Sequence, residues 1–268
     1  MTAIAVTIAG SDSGGGAGIQ ADLKTFSANG VYGASVLTAL TAQNTRGVSA
    51  IQDVPPEFVR AQMDAVYSDL KVNATKIGML SGSAIIEAVA AGLRAHATGP
   101  VVLDPVMVAA SGDPLLAESA VASLLSVLVP LADVITPNLH EAARMLEAPV
   151  AGSETEMLSQ AEQLLRLGAR SVLLKGGHGT GEDSTDLFLD TCGNPIWLRE
   201  KRIATQNTHG TGCTLSSAIA AGLATGHKLE DAISGAKRYV HGAIAAADRL
   251  DIGAGHGPVH HFHQIWSK

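Results

Sequence analysis

Aromatic residues are scarce in this chain, making up 3% of its 268 residues, and cysteine occurs only twice. Cys192 and Cys213 provide no disulfide framework, so they suit a reducing cytoplasm. The remaining apolar residues are mainly Ala, Val, Leu and Ile, and there are 29 glycines. Such a composition favours an α/β fold of alternating strands and helices over an aromatic-rich β-sandwich.

Clusters of basic residues and long apolar runs are also missing. The net charge of −7 and the isoelectric point near 5.8 argue against a nucleic-acid partner. No apolar run approaches the ~20 residues that span a bilayer, because Pro130 and Asp133 interrupt the best candidate. The apolar stretch 1–8 has no basic lead and is predicted to be a first strand rather than a signal peptide. We therefore expect a soluble cytoplasmic protein with no membrane partner.

Strand-like and helix-like segments alternate along the chain without an internal repeat. Short apolar runs at 3–9, 74–79, 101–104, 133–136 and 171–175 predict strands. Helical patterns at 19–28, 56–69, 83–96 and 119–128 lie between them. This alternation predicts one domain over residues 1–268, with a mostly parallel sheet covered on both faces. Ligands bind such sheets at the carboxyl ends of the strands, so the residues there are the first candidates for a site.

The segment Asn207–Thr214 (NTHGTGCT) precedes an apolar helical pattern that starts near Gly212. Its alternating glycines allow a tight turn, and the free amides of a helix N-terminus bind oxyanions. A cysteine at this position, Cys213, is expected to have a lowered pKa and to offer an accessible thiolate. These features indicate group transfer from a phosphate donor. The competing interpretation is an ordinary glycine-capped loop with a buried cysteine.

Charged side chains follow several predicted strands. Asp104 and Lys175 each stand at a strand end, and Lys175 could contact a phosphate there. Asn138 and Glu141 follow another strand and have the spacing of a helix capping box, which is a strong alternative to a functional role. Carboxylates at two strand ends, from Asp104 and Glu141, could instead hold a hydrated Mg²⁺.

The glycine-rich loop 10–18 lacks the Lys-Ser/Thr of a Walker loop and a convincing dinucleotide fingerprint, which disfavours a nicotinamide oxidoreductase. A flexible loop, a substrate clasp and a phosphate cradle remain open for it. Asp22, one turn into the next helix, faces this loop or is simply solvated. Gln43 offers a donor and an acceptor to a heteroaromatic ring edge, although from the sequence alone a plain turn is the better interpretation there. The histidines of the tail at 256–263 have no nearby partner for a zinc site and indicate a segment packed on the core.

Seven segments together resemble one family. They are Gly10–Asp22 (GSDSGGGAGIQAD), Thr41–Thr45 (TAQNT), Lys76–Leu80 (KIGML), Asp104–Met107 (DPVM), Thr136–Leu139 (TPNL), Lys175–His178 (KGGH) and Asn207–Thr214. Their order and content resemble the hydroxymethylpyrimidine/phosphomethylpyrimidine kinases of thiamine biosynthesis, which belong to the ribokinase-like superfamily. The resemblance extends over nearly the whole chain and implies a three-layer α/β/α sandwich with a mostly parallel central sheet.

The resemblance implies phosphorylation of 4-amino-5-hydroxymethyl-2-methylpyrimidine to its monophosphate and then to the diphosphate, with ATP and Mg²⁺, by a homodimer. The implied catalytic residues are Cys213, Gly210, Gly212 and Lys175. The implied substrate residues are Gln43, Gly10, Asp22, Met79 and Val106. The implied nucleotide residues are Asn138, Lys175, Thr208, Thr211 and Lys237, and Asp104 with Glu141 would hold Mg²⁺ directly or through water.

Two positions depart from the pattern of this family. Ala110 precedes Ser111-Gly112 where Lys or Thr is common, so a phosphate role there is in doubt, and His140 replaces a common Pro. The alternatives are a pyridoxine or pyridoxal kinase of the same superfamily and a nucleotide-binding sensor without catalysis. Without the resemblance, the residues indicate only an α/β enzyme that handles phosphate.

Overall fold

A computed structural model describes residues 1–96, 98–108, 115–177 and 181–266, except for the side chain of Glu118. One nine-stranded sheet organises this part of the chain, with the strand order β3-β2-β1-β4-β5-β6-β7-β8-β9. The strands are β1 (Ile4–Asp12), β2 (Tyr32–Asn44), β3 (Gly47–Asp53), β4 (Ala74–Ile77), β5 (Val101–Leu103), β6 (Val134–Ile135), β7 (Ser171–Lys175), β8 (Asp183–Asp190) and β9 (Ile196–Lys201). Strands β2, β1, β4, β5, β6 and β7 are parallel, and β3, β8 and β9 add antiparallel hairpins at the two edges. The predicted mostly parallel sheet is confirmed.

Helices cover both faces of the sheet. They are α1 (Gly18–Ala28), α2 (Pro56–Asp69), α3 (Ser83–Ala95), α4 (Val121–Ser123), α5 (Leu139–Met145), α6 (Glu154–Arg166), α7 (Thr211–Ala224) and α8 (Leu229–Ala245). Successive residues of a strand face opposite sides. Accordingly, Val101 and Leu103 pack in one apolar cluster with α2, α3 and α6, while Val102 packs in a second with α1, α7 and α8. These two clusters give the three-layer arrangement.

Residues 119–128 do not form the single regular α-helix that the sequence predicted. A 3₁₀ turn at Glu118–Ala120 leads into α4, a π-helical turn follows at Leu124–Leu128, and a second 3₁₀ turn ends the segment at Val129–Leu131. Pro130 has no amide hydrogen and cannot continue an α-helical ladder, so the chain tightens before it enters β6. None of the helices in the described ranges is long and apolar enough to cross a membrane.

The parallel strands bring their carboxyl ends to one edge of the sheet. Residues 12, 44, 78, 104, 136 and 175 lie at or just after the ends of β1, β2, β4, β5, β6 and β7. The N-terminus of α7 also reaches this edge. A parallel bridge joins the preceding His209 to Pro258, so the C-terminal tail supports the turn from outside.

Candidate active site

A buried ion pair joins two of the predicted strand-end residues. Lys175 Nζ lies 2.8 Å from Asp104 Oδ1, and the Asp104 side chain is only 2% exposed. Thr136 donates to the same oxygen at 3.0 Å, and Ser216 of α7 donates to Oδ2 at 3.2 Å. Burial alone would raise the pKa of Asp104, but the charges of Lys175 and Lys76 outweigh it and lower that pKa. The aspartate is therefore ionised and the lysine is held at the sheet edge.

Glu141 forms the capping box and also belongs to the charged cluster. Asn138 Oδ1 accepts from the Glu141 amide at 2.9 Å, and the Asn138 amide donates to Glu141 Oε2 at 2.7 Å. Burial raises the pKa of Glu141 to about 7, Lys175 opposes this rise, and Asp104 adds to it. In the described part of the chain, no group of three His, Cys, Asp or Glu residues is arranged as a metal site. The structure thus shows the cap that the sequence allowed and places its carboxylate beside Lys175 and Asp104.

The turn before α7 lies against Lys175. Gly210 caps the helix with φ +80°, and α7 starts at Thr211, one residue earlier than predicted. A Cβ on Gly212 would lie 3.3 Å from Lys175 Nζ and 3.6 Å from Asp104 Oδ2. The Thr211 amide bonds within the turn to Thr208 O, whereas the Gly212 and Cys213 amides find no acceptor among the described residues. Free amides and a lysine therefore converge on one spot.

Cys213 does not have the lowered pKa that its helix position predicted. The side chain is half-buried, and the Gly18 amide hydrogen bonds to it. Burial raises the pKa of the thiol to about 11; the Lys76 charge lowers it, whereas the Asp22 and Asp104 charges raise it further. The prediction was wrong because it considered the helix N-terminus alone, and buried neighbours outweigh that effect. The thiol is protonated at neutral pH in this structure.

Asp22 lies beneath the site rather than facing the glycine-rich loop or solvent. Its carboxylate accepts from Thr7 Oγ1 at 2.6 Å, from Ser217 Oγ at 2.6 Å and from Lys76 Nζ at 2.8 and 2.9 Å. The Asp22 and Lys76 side chains are both 0% exposed. Neither the solvated nor the loop-facing interpretation of Asp22 holds, because buried partners use both of its oxygens.

Lys237 is also engaged in a buried pair. Its Nζ lies 2.8 Å from Asp186 Oδ2 and donates to the carbonyl of Ser184 at 3.0 Å. The other oxygen of Asp186 accepts from the Gly176 amide at 3.0 Å. Lys237 thus supports the chain just after Lys175, and the structure does not bring its amine to the turn at Gly210.

The glycine-rich loop is folded around Asp12, which sequence reasoning missed. The Asp12 carboxylate accepts from the amides of Gly14, Gly16 and Ala17 at 2.8 to 3.0 Å. His209 Nε2 lies 2.8 Å from Asp12 Oδ2. Burial opposes the ionisation of Asp12, but the bond to His209 and these amide bonds keep its pKa lowered. A carboxylate within a run of glycines directly after a strand was the sequence signal. Asp12 takes up these loop amides, so they are not free to cradle a phosphate. We call the loop with its bonds to Asp12 the Asp12 clasp.

Gln43 lies next to this clasp at the mouth of a cleft of about 200 Å³. Residues 43–47, His209 and His256 line the cleft. Gln43 Nε2 lies 3.5 Å from His209 Nε2, and Thr41 Oγ1 donates to Gln43 Oε1 at 3.0 Å. The Gln43 amide is therefore oriented by its neighbours at the predicted substrate edge.

The remaining predicted substrate residues lie around the ends of β1, β4 and β5. Met79 covers Gly10 so closely that a Cβ on Gly10 would lie 2.9 Å from its sulfur. Val106 lines a separate small cavity of about 10 Å³ with Leu80 and Pro105. The structure therefore groups Gly10 with Met79 but not Val106 with Gln43. Ala110, Ser111, Gly112 and His178 lie outside the described residues.

Residues 12–260, nearly the whole chain, match the family described as phosphomethylpyrimidine kinase. The chain belongs to the phosphomethylpyrimidine kinase family. The hydroxymethylpyrimidine/phosphomethylpyrimidine kinase of Rhizobium meliloti (strain 1021) is 64% identical over 266 residues, which cover 99% of each chain. Its namesake in Escherichia coli (strain K12) is 54% identical over 98% of each chain.

Solved structures agree with this family and with the ribokinase-like fold. An ADP complex of Bacillus subtilis pyridoxal kinase superposes with a TM-score of 0.91 at 35% identity, over 98% of this chain and 99% of that one. Phosphomethylpyrimidine kinase of Clostridium difficile 630 gives a TM-score of 0.79 at 43% identity, over 90% of this chain and 99% of that one. The predicted fold class is confirmed, and the chain is a phosphotransferase of the phosphomethylpyrimidine kinase family.

Proposed function

We propose that this protein transfers the γ-phosphoryl group of ATP to 4-amino-5-hydroxymethyl-2-methylpyrimidine and then to the resulting monophosphate. The observation that carries the proposal is the convergence of Lys175, ionised Asp104 and the free amides of Gly212 and Cys213 on one spot. Phosphoryl transfer needs positioning and neutralisation of charge more than covalent chemistry. A lysine beside preorganised amides supplies both in a site screened from water.

The nucleotide would lie with its terminal phosphate at the N-terminus of α7. Lys175 Nζ would lie 3.3 Å from a Cβ on Gly212 in this turn. The backbone of Lys175 is fixed by a bridge to Asn138 and by the bond of its amide to Pro137 O. Thr208 and Thr211 shape the turn because Thr211 Oγ1 donates to Thr208 O at 2.7 Å. Lys237 would act on the nucleotide indirectly, by fixing Asp186 and the Gly176 amide.

Magnesium fits the donor chemistry of the charged cluster. Asp104 and Glu141 supply carboxylate oxygens that both interact with Lys175, and Mg²⁺ is bound by one or two carboxylates while it keeps several waters. Burial, with the Asp104 charge, raises the pKa of Glu141 to about 7, so an added positive charge here would favour its ionised form. When bound, Mg²⁺ neutralises charge on the phosphate oxygens.

The pyrimidine would occupy the side of the site formed by Gln43, Met79 and Gly10. The Gln43 amide presents a donor and an acceptor, the pattern that an aminopyrimidine edge requires. In the first step the substrate hydroxyl must lose a proton; Cys213 could accept it only as the thiolate, the form that the Lys76 and Lys175 charges favour. In the second step the acceptor is a phosphate oxygen that is already anionic, so a base matters less.

The enzyme is proposed to be a cytoplasmic homodimer. Both cysteines are unpaired thiols, which suits a reducing compartment. Strand β3 lies at the edge of the sheet, and Leu40 and Ile51 beside that edge are 46% and 40% exposed. Unprotected edge strands pair readily with another chain. Light scattering on the purified protein would measure the mass of the assembly, and a monomer would contradict this part of the proposal.

A coupled assay of ADP release tests the activity. Hydroxymethylpyrimidine, its monophosphate and pyridoxine are offered separately with ATP and Mg²⁺. We expect turnover of the first two and a much lower kcat/KM for pyridoxine. Preferred turnover of pyridoxine would favour the pyridoxal-kinase alternative, which the similarity to the Bacillus subtilis enzyme keeps relevant. Nucleotide binding with no release of ADP would indicate a sensor.

A further inference from the structure

Lys76 and Asp22 form a fully buried ion pair that the proposed reaction does not use. Lys76 Nζ lies within 2.9 Å of both carboxylate oxygens, and neither side chain is exposed. A buried ion pair loses the hydration of both charges and is weak evidence for stability. A pair placed beneath an active site therefore calls for a function other than stabilising the fold.

Helix α7 connects this pair to Cys213. Ser217 Oγ donates to Asp22 Oδ1 at 2.6 Å. Ser217 follows Cys213 by four residues, so the two side chains lie one above the other on the same face of α7. Through Ser217 this face meets Asp22, whose carboxylate holds Lys76. Ser216, on the adjacent face, reaches Asp104 instead.

The end of β4 lets the amine of Lys76 approach the site. A Cβ on Gly78 would lie 2.6 Å from Lys76 Nζ and 3.0 Å from Ala9 Cβ. The amine therefore lies beside Gly78, where β4 has ended and the edge of the sheet begins. A side chain at position 78 would displace it, and glycine leaves the space free.

We propose that Lys76, held by Asp22, is a positioning residue that supplies the positive charge against which the thiolate of Cys213 forms. Asp22 and Lys76 then set the thiolate population with opposite signs. Ionisation breaks the S–H bond, leaves the electron pair on sulfur and passes the proton to solvent. The inference rests on the proposed function in one respect only, which is that the thiolate serves there as the proton acceptor.

The other charges that face Cys213 have defined signs. Asp104 disfavours the thiolate and Lys175 favours it, in parallel with Asp22 and Lys76. Like charges raise a thiol pKa and opposite charges lower it. The Lys76 charge has the largest lowering effect on the pKa of the thiol, which burial otherwise raises. Removing the lysine charge should therefore raise that pKa.

Alkylation of Cys213 by iodoacetamide measures this directly, without nucleotide or pyrimidine. The rate is followed at pH 9 by mass spectrometry of the two cysteine peptides, and exposed Cys192 in the same chain serves as internal reference. We expect Lys76→Met to slow alkylation of Cys213 about threefold to tenfold, as for a shift of about one pKa unit, and Lys76→Arg, which keeps the positive charge, to slow it much less. Lys71→Met, at an exposed lysine five residues before Lys76 in the chain, should change neither rate.

The direction of the change separates a charge effect from loss of structure. Loosening of the site would accelerate alkylation in both Lys76 variants, and that result, or an unchanged rate in Lys76→Met, would overturn the proposal. If Lys76→Met fails to fold, Lys76→Gln decides the question: slower alkylation of Cys213 with unchanged Cys192 supports the proposal, and any other result rejects it. Because no turnover is involved, failure of the kinase assay and failure of this test remain distinct.

Discussion

Gly210 packs directly on Gly16, so that the turn before α7 and the glycine-rich loop meet backbone to backbone. A Cβ on Gly210 would lie 1.9 Å from the Gly16 carbonyl oxygen, and Gly210 has φ +80°. On the other side, a Cβ on Gly16 would lie 2.3 Å from His209 Cδ2. The two loops can approach this closely only because neither glycine has a side chain. The contact fixes the turn before α7 against the Asp12 clasp.

Gly210→Ala should therefore disrupt the site as well as the stability. We expect a loss of about 3 kcal/mol in the free energy of unfolding, from left-handed strain and overpacking together, and loss of nearly all activity. Gly226→Ala is the matched control, since Gly226 has φ +88° and nothing within 4 Å of an added Cβ. It should cost about 1 kcal/mol and leave kcat unchanged. Denaturant unfolding and kinase assays on both variants provide the measurement. Equal losses of stability and activity in the two variants would show that the left-handed backbone strain alone matters, and not the contact with Gly16.

Lys175→Met tests the cation at the proposed phosphate site. We expect kcat/KM for ATP to fall about 100-fold to 1000-fold, as for loss of one electrostatic contact to the transferring group. The variant also leaves Asp104 buried without its partner, so circular dichroism must first show a folded protein. Lys201→Met, at a lysine whose side chain is 75% exposed, is the control and should retain full activity. Normal kcat/KM in folded Lys175→Met would remove Lys175 from the mechanism.

Much of the fold could be predicted because its signals are local. The helix Pro56–Asp69 and the strand Ser171–Lys175 were predicted with the bounds that the structure has. Proline at a first helical position and apolar runs that end in glycine depend on a few neighbouring residues. The segment before β6 was mispredicted because its turns of different pitch depend on packing and on Pro130.

The site was predictable only where topology alone brings residues together. Asp104 and Lys175 meet because parallel strands end at one edge, which the alternating pattern implies. The pair of Asp12 and His209 joins residues 197 apart in sequence. The pair of Asp22 and Lys76 is a charge pair in a place where sequence patterns favour apolar residues. Such contacts depend on the packing of whole elements, and so does the raised pKa of Cys213.

Cys213→Ala should affect the two phosphorylations unequally. The hydroxymethyl step needs a proton acceptor, and loss of a general base costs about 100-fold or more. The monophosphate step starts from an anionic oxygen and should lose less than about tenfold, because the amides and Lys175 remain. Each step is assayed separately with saturating ATP, with Cys192→Ala as the control at the exposed cysteine. Equal losses in both steps would contradict a role for the thiol as base.

His261 links the C-terminal tail to the first turn of α7 and should make the fold sensitive to acid. Its Nε2 lies 3.1 Å from Thr214 Oγ1, and the residue is 5% exposed. Burial, assisted by the nearby charges of Lys24 and other histidines, lowers the pKa of His261 to about 3, from 6.5 in an unperturbed histidine. The folded state thus keeps the imidazole neutral at a pH where the unfolded chain binds a proton. This contribution to stability is complete above pH 6.5 and is lost progressively as the pH falls toward 3.

His261→Gln removes this titration while an amide replaces the ring nitrogen beside Thr214. Between pH 8 and pH 5, the wild-type protein should lose about 2 kcal/mol more of its free energy of unfolding than the variant does. Urea unfolding at both pH values measures the difference. His227→Gln, at an exposed histidine beyond the other end of α7, should follow the wild type. If His261→Gln loses as much stability between pH 8 and pH 5 as the wild type, the buried ring is not the acid-sensitive contact. The tail would then hold the turn before α7 through backbone bonds alone, from the His209 amide to Gly257 O and from the Val259 amide to His209 O.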